Sequence, residues 1–183
     1  MSYSQRVGLQ RWTFPDLRTL LARASPDRSG DHLAGIAAQS AAERMAARLA
    51  LADLPLRRFL EEPLTDPSLD EITQLIFDQH DPRAFSAIAH LTVGGFRDWL
   101  LSDQASEAAL EALRFGLTPE MVAATSKLMR NQDLVLVARK ARVRSAFRTT
   151  LGLPGRLSVR LQPNHGTDDA PVSYTHLTLP TKA

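Results

Sequence analysis

The sequence predicts a mainly α-helical chain whose last regular element is a single β-strand. Over about the first 145 residues, apolar side chains recur every three or four positions, in short runs that begin at Pro, Asp, Ser or Thr. From Arg156 to Gln162 apolar and polar side chains alternate instead, which is typical of a strand. A sheet needs several strands to be stable, so this strand is expected to be the first of a larger sheet.

Composition excludes several classes of protein. The 183 residues include 22 Lys and Arg against 20 Asp and Glu, a net charge of +2 that argues against a dedicated nucleic-acid binder. Cysteine is absent, which excludes disulfides and thiolate chemistry. No apolar run approaches the roughly 20 residues that span a membrane, and the first residues do not resemble a signal peptide. We therefore expect a cytoplasmic protein of one domain, or one and part of another.

The N-terminal elements are predicted from spacing and caps. The pattern of Val7, Leu9, Trp12 and Phe14 favours an extended arm or a short hairpin. Pro15-Asp16 then starts a helix that ends at Ser25-Pro26. Its apolar residues share one face: Leu17, Leu20, Leu21 and Ala24.

A long alanine-rich helix is predicted next, from about Asp31 to Ala52, because alanine has the highest helix propensity. Its buried face is expected to contain Leu33, Ile36, Ala37, Met45, Leu49 and Ala52. Pro55 and Pro63 bracket a further short helix. Ser68 and Glu71 have the spacing of a capping box at the start of another.

Five more helices are predicted up to residue 143. Asp81-Pro82 starts the first, and the second follows Gly94-Gly95, which is interpreted as a turn. Ser106 starts the third. Thr118-Pro119-Glu120 starts the fourth, with an N-cap oxygen, a proline at the first helical position and an acid near the positive helix end. Asn131 is expected to close that helix, and residues 132–143 are expected to be helical.

Arg160 and Gln162 are the sharpest candidate site residues. They lie two apart on the predicted strand of residues 156–162, after the turn Leu153-Pro154-Gly155, so their side chains point the same way about 6 to 7 Å apart. An Arg fork and a Gln amide offer fixed donors and one acceptor to a small polar substrate. From the residues alone, a solvent-facing strand edge is the favoured interpretation of this pair.

Three segments resemble the large subunit of ethanolamine ammonia-lyases. They are RSGDHLAGIAAQSAAERMAARLALADL (28–54), GLTPEMVAATSKLM (116–129) and TTLGLPGRLSVRLQPN (149–164), of which RLQPN is the most specific. The resemblance runs from about Val7 to Asp169 and corresponds to the first third of that subunit.

The resemblance implies a fold and a cofactor. A helical N-terminal region (1–148) would lead into the start of a (β/α)8 TIM barrel (149–171), with the rest of the barrel missing. The family uses adenosylcobalamin, a cobalt cofactor, to convert ethanolamine into acetaldehyde and ammonia. The cofactor contacts would lie outside this chain. The resemblance also implies a small-subunit partner, a homo-oligomer of large subunits and, in bacteria that use ethanolamine, a microcompartment.

The resemblance also assigns roles to the strand residues. Arg160 would contact the substrate hydroxyl and assist electrostatically while the amino group migrates, and Gln162 would bind the amino group. Leu161 would pack outward, with its backbone lining the site. A chain without the later strands is expected to be an inactive fragment.

Residues 172–183 need a separate explanation. Val172 to Thr181 match one reading frame of the transposase adaptor used in shotgun library preparation. We therefore expect this tail to be adaptor translation and exclude it from the fold.

Other functional interpretations are weaker. The five histidines form no metal-binding pair, and His165 with Asp168-Asp169 is slender evidence for a cation site. The basic stretch from Arg139 to Arg148 would suit nucleic acid, but only Phe147 is available for stacking. The main alternative is a free-standing helical interaction module without catalytic activity.

Overall fold

A computed structural model describes residues 2–26, 29–65, 68, 70–141, 145–147, 149–153 and 155. The chain divides into two compact units, residues 1–141 and 142–183, which are considered separately. The described part is mainly helical, as predicted. The predicted strand 156–162, the tail 172–183 and most of the predicted barrel segment 149–171 lie outside the described residues.

The first unit opens with an antiparallel hairpin and continues as short helices. The strands are β1 (Tyr3–Val7) and β2 (Gln10–Phe14). The helices are α1 (Leu17–Ala24), α2 (Ser29–Leu33), α3 (Ala41–Ala52), α4 (Arg58–Glu61), α5 (Glu71–Asp78), α6 (Pro82–Ser86), α7 (Val93–Leu101), α8 (Glu107–Ala112), α9 (Pro119–Ser126) and α10 (Asn131–Lys140). Within these ranges no helix has both the length and the apolar character needed to cross a membrane.

The hairpin and α1 confirm the predictions for the N-terminus. Tyr3 pairs with Phe14 and Val7 with Gln10 across the two strands. The side chain of Asp16 caps α1 by accepting a 2.6 Å hydrogen bond from the Thr19 N–H. The four residues predicted to share the buried face of α1 are all buried: Leu17, Leu20, Leu21 and Ala24.

The core of this unit lies where the inner face of the hairpin, α1, α3, α7 and α9 meet. Its largest fully buried apolar side chains are Phe14, Phe96, Leu17, Leu20, Leu51, Leu56 and Met121. Small residues on α3 let α1 approach closely: Ala46 and Ala47 are completely buried.

The prediction of one long helix from Asp31 to Ala52 is wrong. The chain leaves helical geometry at Gly35, whose φ of 69° is in the left-handed region that favours glycine. Helix α3 then starts anew at Ser40, whose hydroxyl accepts a 3.1 Å hydrogen bond from the Glu43 N–H. Because alanine-rich sequence favours helix throughout this stretch, the break was not evident from propensity.

The face predicted to be buried is also mostly wrong. Leu33 is 91% exposed, and Ile36, Met45 and Leu49 are exposed as well, whereas Ala37 is buried and Ala52 half-buried. In α3 the buried residues are Ala46, Ala47 and Leu51. A helix restarted at Ser40 turns the face of Ala46, Ala47 and Leu51 inward, so Met45 and Leu49 point outward.

Three boundary predictions also need correction. The N-cap of α5 is Asp70 rather than Ser68, and it accepts a 2.8 Å hydrogen bond from the Thr73 N–H. Gly94-Gly95 lies inside α7, which begins at the Thr92 cap, and is not a turn. Asn131 begins α10 instead of closing α9, because the preceding turn already ends α9 at Ser126.

Other helix starts are confirmed. Asp81 caps α6, and Pro82 is its first residue. The hydroxyls of Ser106 and Thr118 cap α8 and α9. Helix α10 lies within the predicted range of 132–143 apart from its first residue.

The second unit contains an unpredicted hairpin. Strands β3 (Ser145–Phe147) and β4 (Thr149–Leu151) pair antiparallel, with Ser145 opposite Leu151 and Phe147 opposite Thr149. The short segment between α10 and the predicted strand therefore has extended structure of its own.

Candidate functional site

The predicted substrate-binding residues Arg160, Leu161 and Gln162 lie outside the described residues. The same is true of His165, Asp168 and Asp169. The structure neither brings these side chains together nor separates them, so their roles remain predictions. The described residues show instead how the helical region is held together and what surfaces it offers.

A carboxylate at the end of α4 joins this helix to two elements near the N-terminus. Glu62 Oε2 accepts a 2.6 Å hydrogen bond from the Tyr3 hydroxyl on β1, and its Oε1 accepts a 2.9 Å bond from the Leu17 N–H at the start of α1. The Arg58 guanidinium donates to Glu62 Oε2 at 3.0 Å and also contacts Glu61. One carboxylate therefore ties the hairpin to α1 and α4.

These contacts decide the charge state of the cluster. Burial works to raise the pKa of Glu62, but the hydrogen bonds from Tyr3 and Leu17, with the charge of Arg58, outweigh it and lower the pKa. Burial and the hydrogen bond to the Glu62 carboxylate raise the pKa of Tyr3. A carboxylate held ionised in this way is an acceptor, not a proton donor, so the cluster is a structural clamp rather than an acid–base pair.

No sequence motif indicates this cluster. Tyr3 and Glu62 are 59 positions apart, and no motif connects them. Glu61 is the last residue of α4, and Glu62 lies between it and Pro63.

A small cavity lies between α1 and α9. Its volume is about 330 Å³, and its lining is mostly apolar, with Leu21, Leu64 and Ala123 beside the polar Ser25 and Lys127. Lys127 Nζ donates a 2.8 Å hydrogen bond to Ser25 Oγ at the end of α1. The cavity could take a few apolar atoms. The Ser25 hydroxyl donates to the Leu21 backbone oxygen (2.9 Å), so Lys127 is a hydrogen-bond donor to the serine and not a base for it, and the cavity suggests no chemistry of its own.

One lysine of the basic stretch that was considered for nucleic-acid binding makes hydrogen bonds within the chain. Lys140 Nζ donates hydrogen bonds to the backbone oxygens of Leu100 (3.0 Å) and Ser102 (2.6 Å) at the C-terminal end of α7. A lysine at this end satisfies free carbonyls and complements the helix dipole. Among the described residues, no group of three or more His, Cys, Asp or Glu could hold a metal ion.

Comparison with known proteins identifies the family. The family model described as ethanolamine ammonia lyase large subunit (EutB) matches residues 12–176, most of the chain. The chain belongs to the ethanolamine ammonia-lyase large subunit family. The match ends inside the segment 172–183, so the start of the proposed adaptor at residue 172 remains a prediction.

Individual relatives of the lyase family agree. The chain is 39% identical to the ethanolamine ammonia-lyase large subunit of Escherichia coli (strain K12) and 38% identical to that of Salmonella typhimurium, over 158 residues in each case. The alignments cover 86% of this chain but 35% of each relative. The chain therefore spans about a third of the length of the curated relatives it matches.

The cobalamin that the resemblance implies does not fit the cavity between α1 and α9. Pockets for drug-sized ligands span about 300 to 1,000 Å³. The cavity between α1 and α9, at about 330 Å³, is at the lower end of that range and cannot hold a corrin ring with its nucleotide and adenosyl groups.

Proposed function

We propose that this chain is the N-terminal part of the large subunit of an adenosylcobalamin-dependent ethanolamine ammonia-lyase. The reaction converts ethanolamine into acetaldehyde and ammonia by radical migration of the amino group. The observation that carries this proposal is the family match over residues 12–176, together with 39% identity to a large subunit of that name. When bound, the cofactor supplies the radical chemistry, and the protein orients the substrate and protects the reacting atoms from water.

Arg160 and Gln162 are proposed to position the substrate. Arg160 donates to the hydroxyl of ethanolamine, and Gln162 contacts its amino group. In a (β/α)8 barrel the C-terminal ends of the strands present the active-site groups, and the predicted strand ends at Gln162. Fixed donors such as the Arg160 fork act most strongly in a site that excludes water. Leu161 is proposed to face away from the substrate and to contribute its backbone to the site.

The rest of the proposal concerns the whole enzyme. Residues 149–171 would form the start of the barrel, and the later strands and the cobalamin contacts would come from the part of the subunit beyond this chain. The working enzyme would contain small subunits and several large subunits, and it would be cytoplasmic or enclosed in a bacterial microcompartment. The chain by itself is proposed to be inactive.

The proposal is tested first at the level of the gene and then by activity. Sequencing of the source DNA beyond the codon for Pro171, from a library made without transposase, should show a reading frame that continues into strand–helix units. The complete large subunit, with the small subunit and adenosylcobalamin, should release acetaldehyde from ethanolamine. A frame that ends after Ala183, or a complete enzyme without acetaldehyde release, would refute the proposal.

Arg160→Ala in the complete enzyme tests the site separately. It should lose most of the activity, whereas Arg57→Ala, which removes an exposed arginine of the helical region, should retain it. Wild-type turnover in Arg160→Ala would remove the role assigned to Arg160 but leave the family assignment intact.

A further inference from the structure

The outer face of the N-terminal hairpin is basic. Ser4, Arg6, Arg11 and Thr13 are exposed, and Arg6 lies directly opposite Arg11 across the strands. Like charges at such positions are destabilising, so this pair lowers the stability of the hairpin unless an anionic group approaches it. The first acidic residue of the chain is Asp16, beyond the hairpin.

The arginines and the turn frame an open groove. Arg6 Nε donates to the Gly8 backbone oxygen (3.1 Å), and an Arg11 terminal nitrogen donates to Ser4 Oγ (3.0 Å), so both guanidinium groups rest on neutral oxygens. Leu9, at the turn between them, is 95% exposed. The groove has a volume of about 280 Å³ and is lined by Ser4, Gln5, Arg6, Leu9 and Arg11. This surface, Arg6–Leu9–Arg11, is called the hairpin surface below.

Helix α5 is exposed and lies in an acidic segment, in contrast to the basic hairpin. None of its residues is buried, although Ile72, Leu75, Ile76 and Phe77 are apolar; Ile72 is 70% and Leu75 54% exposed. Residues 61–82 contain no Lys or Arg. Their acidic residues are Glu61, Glu62, Asp66, Asp70, Glu71, Asp78 and Asp81.

An acidic stripe with a leucine at its centre runs along α5. Glu71, Leu75 and Asp78 are spaced i, i+4 and i+7, which places them on one helix face, and all three are exposed. At 1.5 Å per residue the two carboxylates lie roughly 10 Å apart along the axis, with the leucine between them. This surface, Glu71–Leu75–Asp78, is called the α5 surface.

We propose that the hairpin surface of one copy of this chain docks on the α5 surface of a second copy. The two surfaces are complementary in charge and share an apolar centre: Leu9 between two arginines would meet Leu75 between two carboxylates. Apolar contact would contribute affinity, and the charges would fix the partner and register. This inference rests on the proposed assembly of several large subunits and names a surface for it.

The contact is heterologous, because one copy contributes its hairpin surface and the other contributes its α5 surface. Such contacts close into a ring or continue as a filament, and every copy carries both halves. Each copy carries both the basic hairpin surface and the acidic α5 surface, so a second copy has the charge that matches each of them. Association should weaken as salt rises, because charges at an exposed rim are screened over about 8 Å at physiological ionic strength.

Cysteine cross-linking tests the register directly, since the sequence has no cysteine of its own. Leu9→Cys and Leu75→Cys would be introduced in separate preparations of the 183-residue chain, mixed, and treated with a short bismaleimide. A covalent heterodimer should form, and it should be lost in high salt. The matched control replaces Leu75→Cys by Val122→Cys, a similarly exposed position on α9, 51% exposed, which should not cross-link to Leu9→Cys.

A charge swap tests whether complementarity drives the contact. Arg6→Glu with Arg11→Glu, and Glu71→Lys with Asp78→Lys, should each abolish concentration-dependent association in analytical ultracentrifugation. A mixture of the two variants should restore it, because the reversed hairpin then meets a reversed α5. Arg18→Glu with Arg114→Glu changes the charge of two other exposed arginines by the same amount and should leave association unchanged. Circular dichroism would confirm that each variant is folded.

Several results would overturn the docking proposal. They are equal cross-linking to position 122, association that survives the hairpin reversal, and a mixture that fails to recover. The same cysteine pair in the complete large subunit provides a second measurement if a variant of the short chain does not fold. Lyase activity is read separately: an active enzyme without the 9–75 cross-link refutes the docking alone, and a cross-linked but inactive assembly refutes the function alone.

Discussion

The Tyr3 hydroxyl donates a 2.6 Å hydrogen bond to Glu62, which fastens the N-terminal hairpin to the end of α4. The same carboxylate accepts the Leu17 N–H through its other oxygen. The first helix thus begins with one of its free backbone donors satisfied by a residue 45 positions away. The hairpin and α1 are expected to depend on Glu62 for their mutual position.

Substitution of Glu62 should therefore destabilise the first unit. Glu62→Gln keeps the shape but removes the charge that strengthens three hydrogen bonds, and we expect a loss of about 1 to 3 kcal/mol in the free energy of unfolding. Tyr3→Phe should lose about 1 kcal/mol. Urea denaturation followed by circular dichroism measures both. Glu111→Gln, which alters an exposed ion pair with Arg114, is the control and should change stability by less than about 1 kcal/mol. Equal effects of Glu62→Gln and Glu111→Gln would contradict the clamp.

The clamp also predicts the response to acid. Because the folded state lowers the pKa of Glu62, its contribution is present above the ordinary carboxyl pKa and is lost as the pH falls through the lower, folded value. The difference in unfolding free energy between the wild type and Glu62→Gln should be constant near neutral pH and shrink below about pH 4. A difference that grows on acidification would show that the sign is wrong.

Two adjacent glycines of α7 should respond oppositely to alanine. A Cβ at Gly94 would lie 2.9 Å from the Ala52 backbone oxygen, so Gly94→Ala must push α3 and α7 apart, at a cost of about 1 to 3 kcal/mol. At Gly95 the nearest atom would be at 3.5 Å, an ordinary contact, and the higher helix propensity of alanine should add about 0.5 to 1 kcal/mol. Thermal melts of both variants provide the comparison. A destabilised Gly95→Ala beside an unchanged Gly94→Ala would refute this packing.

Local chemistry explains which parts of the fold could be predicted. The caps at Asp16, Asp81 and Thr118 are determined within two or three residues of the helix start, and all three are confirmed. Which face of α3 is buried depends on how closely α1 approaches it. The spacing of apolar residues along α3 carries no information about that approach. Gly35 breaks a stretch whose alanines favour helix on both sides, so propensity concealed the boundary.

The candidate site could be predicted only in part, because it depends on contacts between distant segments. Arg160 and Gln162 follow from alternation along one strand and from the resemblance, but a barrel site is assembled from several strands, most of which would lie beyond this chain. The Tyr3–Glu62 pair is a long-range contact without a motif, so only the folded chain could show it. Family membership could be predicted because a resemblance compares residues along the chain and needs no knowledge of contacts between distant positions.

Lys140 should stabilise the end of α7. Its ammonium group donates to the Leu100 and Ser102 oxygens, so Lys140→Met, which keeps the aliphatic stem, should lose about 1 to 2 kcal/mol in the free energy of unfolding. Arg139→Met, at the neighbouring position of α10, is the control. Equal losses in both variants, measured by urea denaturation, would argue for a general effect of charge on α10 instead of these two hydrogen bonds.

Arg160 offers the sharpest test of the proposed chemistry in the complete enzyme. If its planar fork holds the substrate hydroxyl, Arg160→Lys keeps the charge but loses that geometry and should recover only part of the activity missing in Arg160→Ala. Loss of one oriented donor in a water-free site costs on the order of 10²- to 10³-fold in kcat. Gln162→Ala should affect KM as well as kcat, because its proposed contact with the amino group also serves binding. Steady-state acetaldehyde release against ethanolamine concentration separates these effects. Full activity in Arg160→Lys would mean that charge alone suffices and that the fork geometry has no part in catalysis.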